Sequence, residues 1–582
     1  MTALLPQNDP GQKARQRALA AARVDYTYDH AKLAPLTLVG ALPRSEEFSL
    51  DWIFQVAERT LTVLENHSEF AGDPDRKAAA KAAHGLFSGI LRSLTMDLDG
   101  LFKVIEQVLG VSNITGHLEQ LADYQAMFRT IPIPAVEKDW ADDLTFAHMR
   151  LGGPNPVMVK RLHAADPRLP VTPAQYGRAV AGDSLDAALA QGRLYLADYA
   201  ILEGVENGVF PSGPKFLAAP LALFAVEPVG KAFVPVAIQL GQVPGPDCPV
   251  FTPGDGTAWL MAKSVVETSD GNYHQTISHL GRTHLFVEPF AIATHRQLAE
   301  NHPLYILLKP HLLFTLAIND MAFNKLVNTG GPVDELLSGT IEATRGLTAK
   351  GLVGLRVDAL LPPLTFRERG VDDASALPNY PYRDDALLYW NAIRRWVGDY
   401  LAIYYQDPRD LANDTELAAW VRELAAVDGG RVAGISVELT LASVASLADA
   451  VAVVIFTASV QHAAVNFPQY DHMTYVPNMP LAGYTAPPTS TTGPRTADLM
   501  AMLPGRRATL LQMALGYVLG TLHYTKLGDY AKDYFNDDRV ASPLTNFRTE
   551  LAEIARTVDL RNTTRRPYPF LVASGIPQSI NI

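Results

Sequence analysis

Three histidines, His274, His279 and His284, recur at five-residue intervals, and His302 and His311 follow. Imidazole is the commonest protein ligand for borderline metals and also serves as an acid or base near neutral pH. A histidine on a helix is more often satisfied by a backbone carbonyl than by a metal, and clustering narrows that difference without removing it, so both readings stand for each of them. Geometry separates the pairs. In an α-helix five residues turn the chain by about 500°, which leaves His279 and His284 about 140° apart and unable to share one ion. A π-type turn, with i→i+5 bonding, brings them nearly into line. A shared ion therefore predicts a locally widened helix. A second pair, His462 and Asn466, lies four residues apart, on one face of an ordinary α-helix. It follows the apolar run Val451 to Val460, so both polar groups are expected to be buried and to need partners. A metal is one such partner; backbone carbonyls and water are the other.

Composition narrows the metal chemistry. The 582 residues include one cysteine, Cys248, which excludes an internal disulfide, a cysteine-rich zinc module and an iron–sulfur cluster. Histidine, carboxylate and amide groups remain, so any metal is hard or borderline. With 49 Lys+Arg against 61 Asp+Glu the net charge is −12. No basic stripe is present to neutralise phosphates, so a nucleic-acid partner is excluded. The stretch Met1 to Pro10 lacks a basic segment leading into an apolar core, so no secretory signal is read and a cytoplasmic location is expected. The most apolar run, Leu447 to Val460, carries Asp449 and falls short of the roughly 20 residues a membrane span needs. It is expected to be a buried helix.

The elements that position these residues are mostly helices. From about residue 45 to 130 apolar residues recur three and four apart, as in Phe48 to Val56 and Leu86 to Leu94, which describes helices with one apolar face. Leu101, Phe102, Val104, Ile105, Val108 and Leu109 would crowd one side of such a helix. Packing on the rest of the chain is the ordinary use of that face; attachment to a membrane surface is the alternative. Between about 190 and 255 the texture changes to short runs, Leu194 to Tyr199, Leu221 to Val226 and Phe233 to Ile238, separated by Gly and Pro. These read as a few strands. From Trp259 to about residue 560 the pattern is helical again. The expected fold class is mainly α: a large helical domain over 136–582 with a few short strands, preceded by a short helical extension over 1–135.

Several of these stretches resemble the signature of the lipoxygenases. They are Trp259 to Lys263, Tyr273 to His284, Glu288-Pro289-Phe290, Ala293 to Arg296, His302 to Tyr305 and Pro310-His311, then His462 to Phe467 with Gln469-Tyr470, and finally Gly575 to Ile582. The resemblance covers about residues 136–582. It implies one non-haem iron, or manganese as in some relatives, held by His279, His284, His462, Asn466 (weakly, through its amide oxygen) and the terminal carboxylate of Ile582. Water or hydroxide would take the sixth position. His274, His302 and His311 match non-ligand histidines of the motif, and Gln275 and Gln469 match amides that link the ligands to the substrate cavity. The activity implied is dioxygenation of polyunsaturated fatty acids of the linoleate type. Ferric hydroxide removes a hydrogen from the methylene between two cis double bonds, and O2 adds to the resulting radical to give a lipid hydroperoxide. The partners are therefore the fatty acid and O2. A hydroperoxide isomerase on the same scaffold and a catalytically silent lipid-binding protein are the rival readings.

The chain departs from the family pattern in two places. Plant members carry an arginine at the position of Met479, a proposed anchor for the substrate carboxylate, and Met479 cannot make that ion pair. The acid would then enter tail first, be held by another base, or be esterified. Ala322 falls where members with alanine tend to make S products and those with glycine R products, and Leu326, Leu336 and Leu337 complete the expected substrate pocket. The second departure is N-terminal. Plant and animal members begin with a β-barrel lipid-binding domain, whereas helical residues precede the matched region here, which resembles a bacterial, cyanobacterial type. Any peripheral membrane contact would fall to those helices.

Overall fold

The helix that carries His462 runs through the core of the molecule. In the computed structural model, which describes residues 3–71 and 115–582, the Ser443 side chain caps its start by accepting from the Ser446 backbone N–H. Val444–Phe456 is α-helical, Thr457–Gln461 is a π turn, His462–Asn466 is α-helical again, and Pro468–Met473 follows. The whole helix, Val444–Met473, has 30 residues, and its apolar 18-residue stretch reaches a mean hydropathy of 1.8. It is longer than the apolar run alone because it continues into the polar segment beyond Val460. Among the described residues it is the one unbent helix with the length and composition to cross a membrane. Its sides are covered by protein instead: Val451, Val454 and Ile455 are fully buried, and Pro381–Tyr404 packs along it. Each such side chain contributes roughly 1.5–3 kcal/mol on burial, so a core helix accounts for the composition.

A second long helix, residues 257–297, packs against the first. It is α-helical over Thr257–Tyr273, π over His274–Leu285 and α again over Phe286–Gln297. The π stretch is the widened turn that the histidine spacing predicts. Ile341–Leu352 lies against it, with a glycine on each side of the contact. A Cβ on Gly281 would fall 2.4 Å from Leu352 Cδ1, and one on Gly351 would fall 2.7 Å from Ile277 Cγ1. The missing side chains let the two backbones approach.

The strands form where the short apolar runs predict them. A two-stranded sheet pairs β1 (Tyr28–Asp29) with β2 (Leu38–Val39). A five-stranded antiparallel sheet has the order β3 (Lys160–Arg161), β4 (Leu194–Asp198), β5 (Leu221–Val226), β6 (Phe233–Gln239) and β7 (Val250–Phe251). Pro235 lies inside β6, where it can donate no ladder hydrogen bond. The register shifts there: Leu223 faces Ala237 but Phe224 faces Pro235, so Val236 forms a bulge that absorbs the missing bond.

The N-terminal segment is held against this body rather than free of it. Helix Gln12–Asp25 sends Arg15 to Glu416, with an Nη2 to Oε2 distance of 2.8 Å. Helix Leu50–Ala71 buries Trp52, Ile53, Val56 and Val63 in the same core as the two histidine-bearing helices. That apolar face is already used, which corrects the expectation of a membrane-facing helix for this part of the extension. Leu86 to Leu94 and Leu101 to Leu109 lie outside the described residues. No β-barrel occurs among the described residues.

Candidate metal centre

The π turn places His279 and His284 on one side of the helix, opposite His462. The Nε2 of His279 lies 3.2 Å from the Nε2 of His284 and 3.3 Å from the Nε2 of His462. All three residues are buried and could share one ion. Burial holds His279 and His462 far below the usual imidazole range, reinforced by the neighbouring rings, and it brings His284 down to about 4. All three are therefore neutral at neutral pH. A neutral imidazole has one N–H, and in His284 that group is Nδ1, which donates to Asn319 Oδ1 at 2.9 Å. The amide is fixed by its other end, because Asn319 Nδ2 donates to the His284 carbonyl at 3.1 Å and to Glu288 Oε2 at 2.9 Å. His284 Nε2 thus presents a lone pair to the cluster.

Three imidazole nitrogens brought this close in a buried site need a cation, a shared proton or water between them. The donor set is nitrogen and oxygen, without thiolate, and fits a hard or borderline metal with room for further ligands. Asn466 is fully buried beside the cluster, on His462–Asn466. Its Nδ2 donates to the Leu519 carbonyl at 2.8 Å, and its Oδ1 accepts from Gln469 Nε2 at 2.9 Å. A carbonyl oxygen has two lone pairs, so one is left. Gln275 Nε2 donates to Gln469 Oε1 at 2.7 Å, which joins both glutamines and Asn466 into one chain. The backbone oxygen of Ile582 lies against His462. Three contacts hold this end of the chain in place: Trp52 Nε1 donates to the Asn581 carbonyl (2.7 Å), Thr315 Oγ1 to the Ile580 carbonyl (3.2 Å), and His311 Nδ1 to the Gln578 carbonyl (2.8 Å).

The remaining motif histidines are all used elsewhere. His274 Nε2 donates to the Val465 carbonyl at 2.6 Å, and its ring stacks on that of His279. His302 pairs with Asp414 at 2.9 Å and caps a helix through Nδ1, which accepts from the Leu304 N–H. The His274 contact ties the two metal-binding helices to each other, and the His302 contacts fix the start of the helix Pro303–Leu308.

A cavity opens beside the cluster. Gln275, His279, His284, Gln469 and Ile582 line it, together with Ala322, Leu326, Leu336 and Leu337. No Asp, Glu, Lys or Arg side chain lines it among the described residues. Met479 is fully buried outside the wall, packed with Leu336, Leu337 and Leu481. Three residues of this site escape the sequence reading. Asn319 and Trp52 lie far along the chain from His284 and Asn581, which they hold, and have no local signal. Glu288 has one: it is a carboxylate in the apolar stretch Phe286 to Phe290.

Residues 95–568 match the family model described as Lipoxygenase; the match begins inside the stretch expected as an extension. A linoleate 9/13-lipoxygenase of Pseudomonas aeruginosa is 34% identical, over 99% of this chain and 92% of that protein. The human polyunsaturated fatty acid lipoxygenase ALOX15B is 34% identical over 82% of this chain and 71% of that protein. The human hydroperoxide isomerase ALOXE3 is also 34% identical, over 85% and 69%. Among solved structures, a lipoxygenase crystallised anaerobically with arachidonate superposes with a TM-score of 0.86 at 28% identity, covering 100% of this chain and 84% of that one. Coral 8R-lipoxygenase superposes with a TM-score of 0.85 at 28% identity, covering 100% and 83%. These relatives are bacterial and animal, and the cyanobacterial comparison gains no support from them. The chain belongs to the lipoxygenase family.

Proposed function

We propose that this lipoxygenase adds O2 to a polyunsaturated fatty acid of the linoleate type to form a lipid hydroperoxide. The observation that carries the reading is the cluster of neutral imidazoles opening directly onto a cavity without ionised side chains. The cofactor is a single non-haem iron, which when bound supplies the one-electron oxidation that removes a hydrogen from the substrate. His279, His284 and His462 would hold it through Nε2, with the amide oxygen of Asn466 and the carboxylate of Ile582 as further ligands. Asn319 fixes the His284 ring so that Nε2 faces inward. The chain Gln275, Gln469, Asn466 couples the ligand set to the cavity wall.

Leu326, Leu336 and Leu337 take up the hydrocarbon, and their apolar surface excludes water from the pentadiene while it is reactive. The cavity offers no cation for the substrate carboxylate, and the buried Met479 supplies none. This supports entry tail first, with the acid group left at the mouth. Residues 136–582 act as the catalytic domain, and the described residues of the extension 1–135 brace it through contacts such as Trp52 with Asn581.

The test is incubation of the iron-loaded protein with linoleate under O2, following O2 uptake and resolving the products by chiral chromatography. Stoichiometric O2 uptake with a chiral hydroperoxide is expected. Conversion of added hydroperoxide without O2 uptake from linoleate would assign the isomerase activity instead.

A further inference from the structure

The two metal-binding helices also form part of the wall of a second cavity, of about 720 Å³. Tyr273, Ser278 and Arg282 from the π-turn helix and Thr457 and Gln461 from the His462 helix line it. It shares no lining residue with the substrate cavity, so it approaches the same helices from another face. Its charge is unusual for a chain with a net charge of −12. Lys160, Arg161, Arg168, Arg282, Arg356 and Arg369 line it, against Asp166, Asp198 and Glu368.

The arginines divide into two groups. Arg168 is held between Asp166 (2.7 Å) and Asp198 (2.9 Å), and Arg356 by Asp358 (2.7 Å). Among the described residues no ion pair holds Arg161, Arg282 or Arg369, although the Arg161 charge lies near enough to Asp373 to help lower its carboxyl. Their hydrogen bonds go to the Tyr195 hydroxyl (3.2 Å), the Gly351 carbonyl (3.3 Å), and the Val159 carbonyl (3.3 Å) and Tyr380 hydroxyl (3.1 Å), respectively. The Nε of Arg161 is buried without an acceptor. The backbone N–H of Arg161 bonds the Arg369 carbonyl at 2.8 Å, so these two side chains start from adjacent points. Guanidinium groups left with free donors recognise planar and tetrahedral oxyanions. The wall also carries apolar side chains, among them Leu162, Leu196, Leu360 and Phe456.

We propose that this cavity binds an anionic single-chain amphiphile, with its oxyanion head on Arg161, Arg282 and Arg369 and its tail along the leucines and Phe456. The site is separate from the one that turns over substrate, and the proposal holds whatever the reaction product.

Equilibrium dialysis of the full-length, iron-loaded protein with radiolabelled myristate tests it, since a saturated chain has no bis-allylic methylene and is not consumed. Wild type should bind two equivalents, and the double variant Arg161→Ala/Arg369→Ala one, with unchanged iron content and Tm. Ala322→Trp, which obstructs the substrate cavity, should keep the equivalent that the double variant loses. Myristyl sulfate should compete for it, and millimolar inorganic phosphate should not. One equivalent in wild type, two in the double variant, or displacement by phosphate alone would overturn the proposal. If the double variant does not fold, Leu360→Trp, which fills the tail region, draws the same distinction.

Discussion

The Nδ1 of His284 lies 2.9 Å from the Oδ1 of Asn319, and this contact links a metal-binding ring to the N-terminal sheet. Asn319 donates to one oxygen of Glu288 at 2.9 Å, and the other oxygen accepts from the Val39 N–H on β2 at 2.7 Å. Replacing Asn319 by alanine leaves the ring free to rotate and its Nδ1–H unpaired. Loss of such a supporting hydrogen bond lowers metal affinity by about 10–100-fold. Iron retained after timed exposure to a chelator measures it, with circular dichroism as the check on folding. Retention equal to wild type would mean that packing alone orients His284.

The same contact predicts a pH dependence. Burial pushes the Glu288 carboxyl up to about 7, against the hydrogen bonds from Val39 and Asn319 that favour the anion. In the unfolded chain the group titrates near 4.5. Between these values the folded protein keeps a proton that the unfolded chain has released, so stability falls as pH rises through this window and levels off above it. The loss from this group is about 3 kcal/mol. Glu288→Gln cannot ionise, so its stability should fall less than that of wild type between pH 5 and pH 8 in urea titrations. Identical slopes for the two proteins would show that the carboxylate stays charged.

What the sequence displays and what it hides follow from the range of the interactions. The widened turn at His274–Leu285 was legible because a five-residue spacing has one geometric solution for a shared ion. The strands at Leu194, Leu221 and Phe233 were legible from short apolar runs between breakers. Asn319, Trp52 and Glu288 depend on contacts between residues distant in sequence, which no local period encodes. Met479 marks a limit of another kind: the resemblance places it at the substrate pocket, but here it lies outside the cavity wall, in an apolar cluster with Leu336, Leu337 and Leu481.

Gly281 should be intolerant of a side chain. A Cβ there would meet Leu352 Cδ1 at 2.4 Å and the Thr276 carbonyl at 3.1 Å. The leucine can move and the carbonyl of the π turn cannot, so Gly281→Ala shifts the turn that holds His279 and His284. Overpacking of this kind destabilises by about 1–3 kcal/mol. Lower Tm together with lower iron occupancy is expected. A lower Tm with full iron occupancy would confine the effect to packing.

The cavity wall predicts a change in product rather than in rate. Leu337→Phe shortens the space available to the hydrocarbon tail and shifts the pentadiene relative to the metal. The ratio of positional hydroperoxide isomers from linoleate should change, with KM raised more than kcat is lowered. Ala322→Gly removes a methyl from the wall and should raise the share of R product in the chiral analysis. An unchanged product profile in both variants would place the pentadiene elsewhere in the cavity.

The end of the chain carries the strictest geometric demand. Trp52 holds the Asn581 carbonyl and Thr315 holds the Ile580 carbonyl, so a chain ending at Asn581 cannot slide forward to replace what is lost. One residue of reach is about 3.3–3.6 Å, which is more than a metal–ligand bond tolerates. Deleting Ile582 should therefore abolish O2 uptake and lower iron content while leaving the fold intact by circular dichroism. Ile582→Val keeps the carboxylate in position and should retain iron. If the deletion keeps full iron and activity, the carboxylate is not a ligand, and His279, His284, His462 and Asn466 must hold the metal without it.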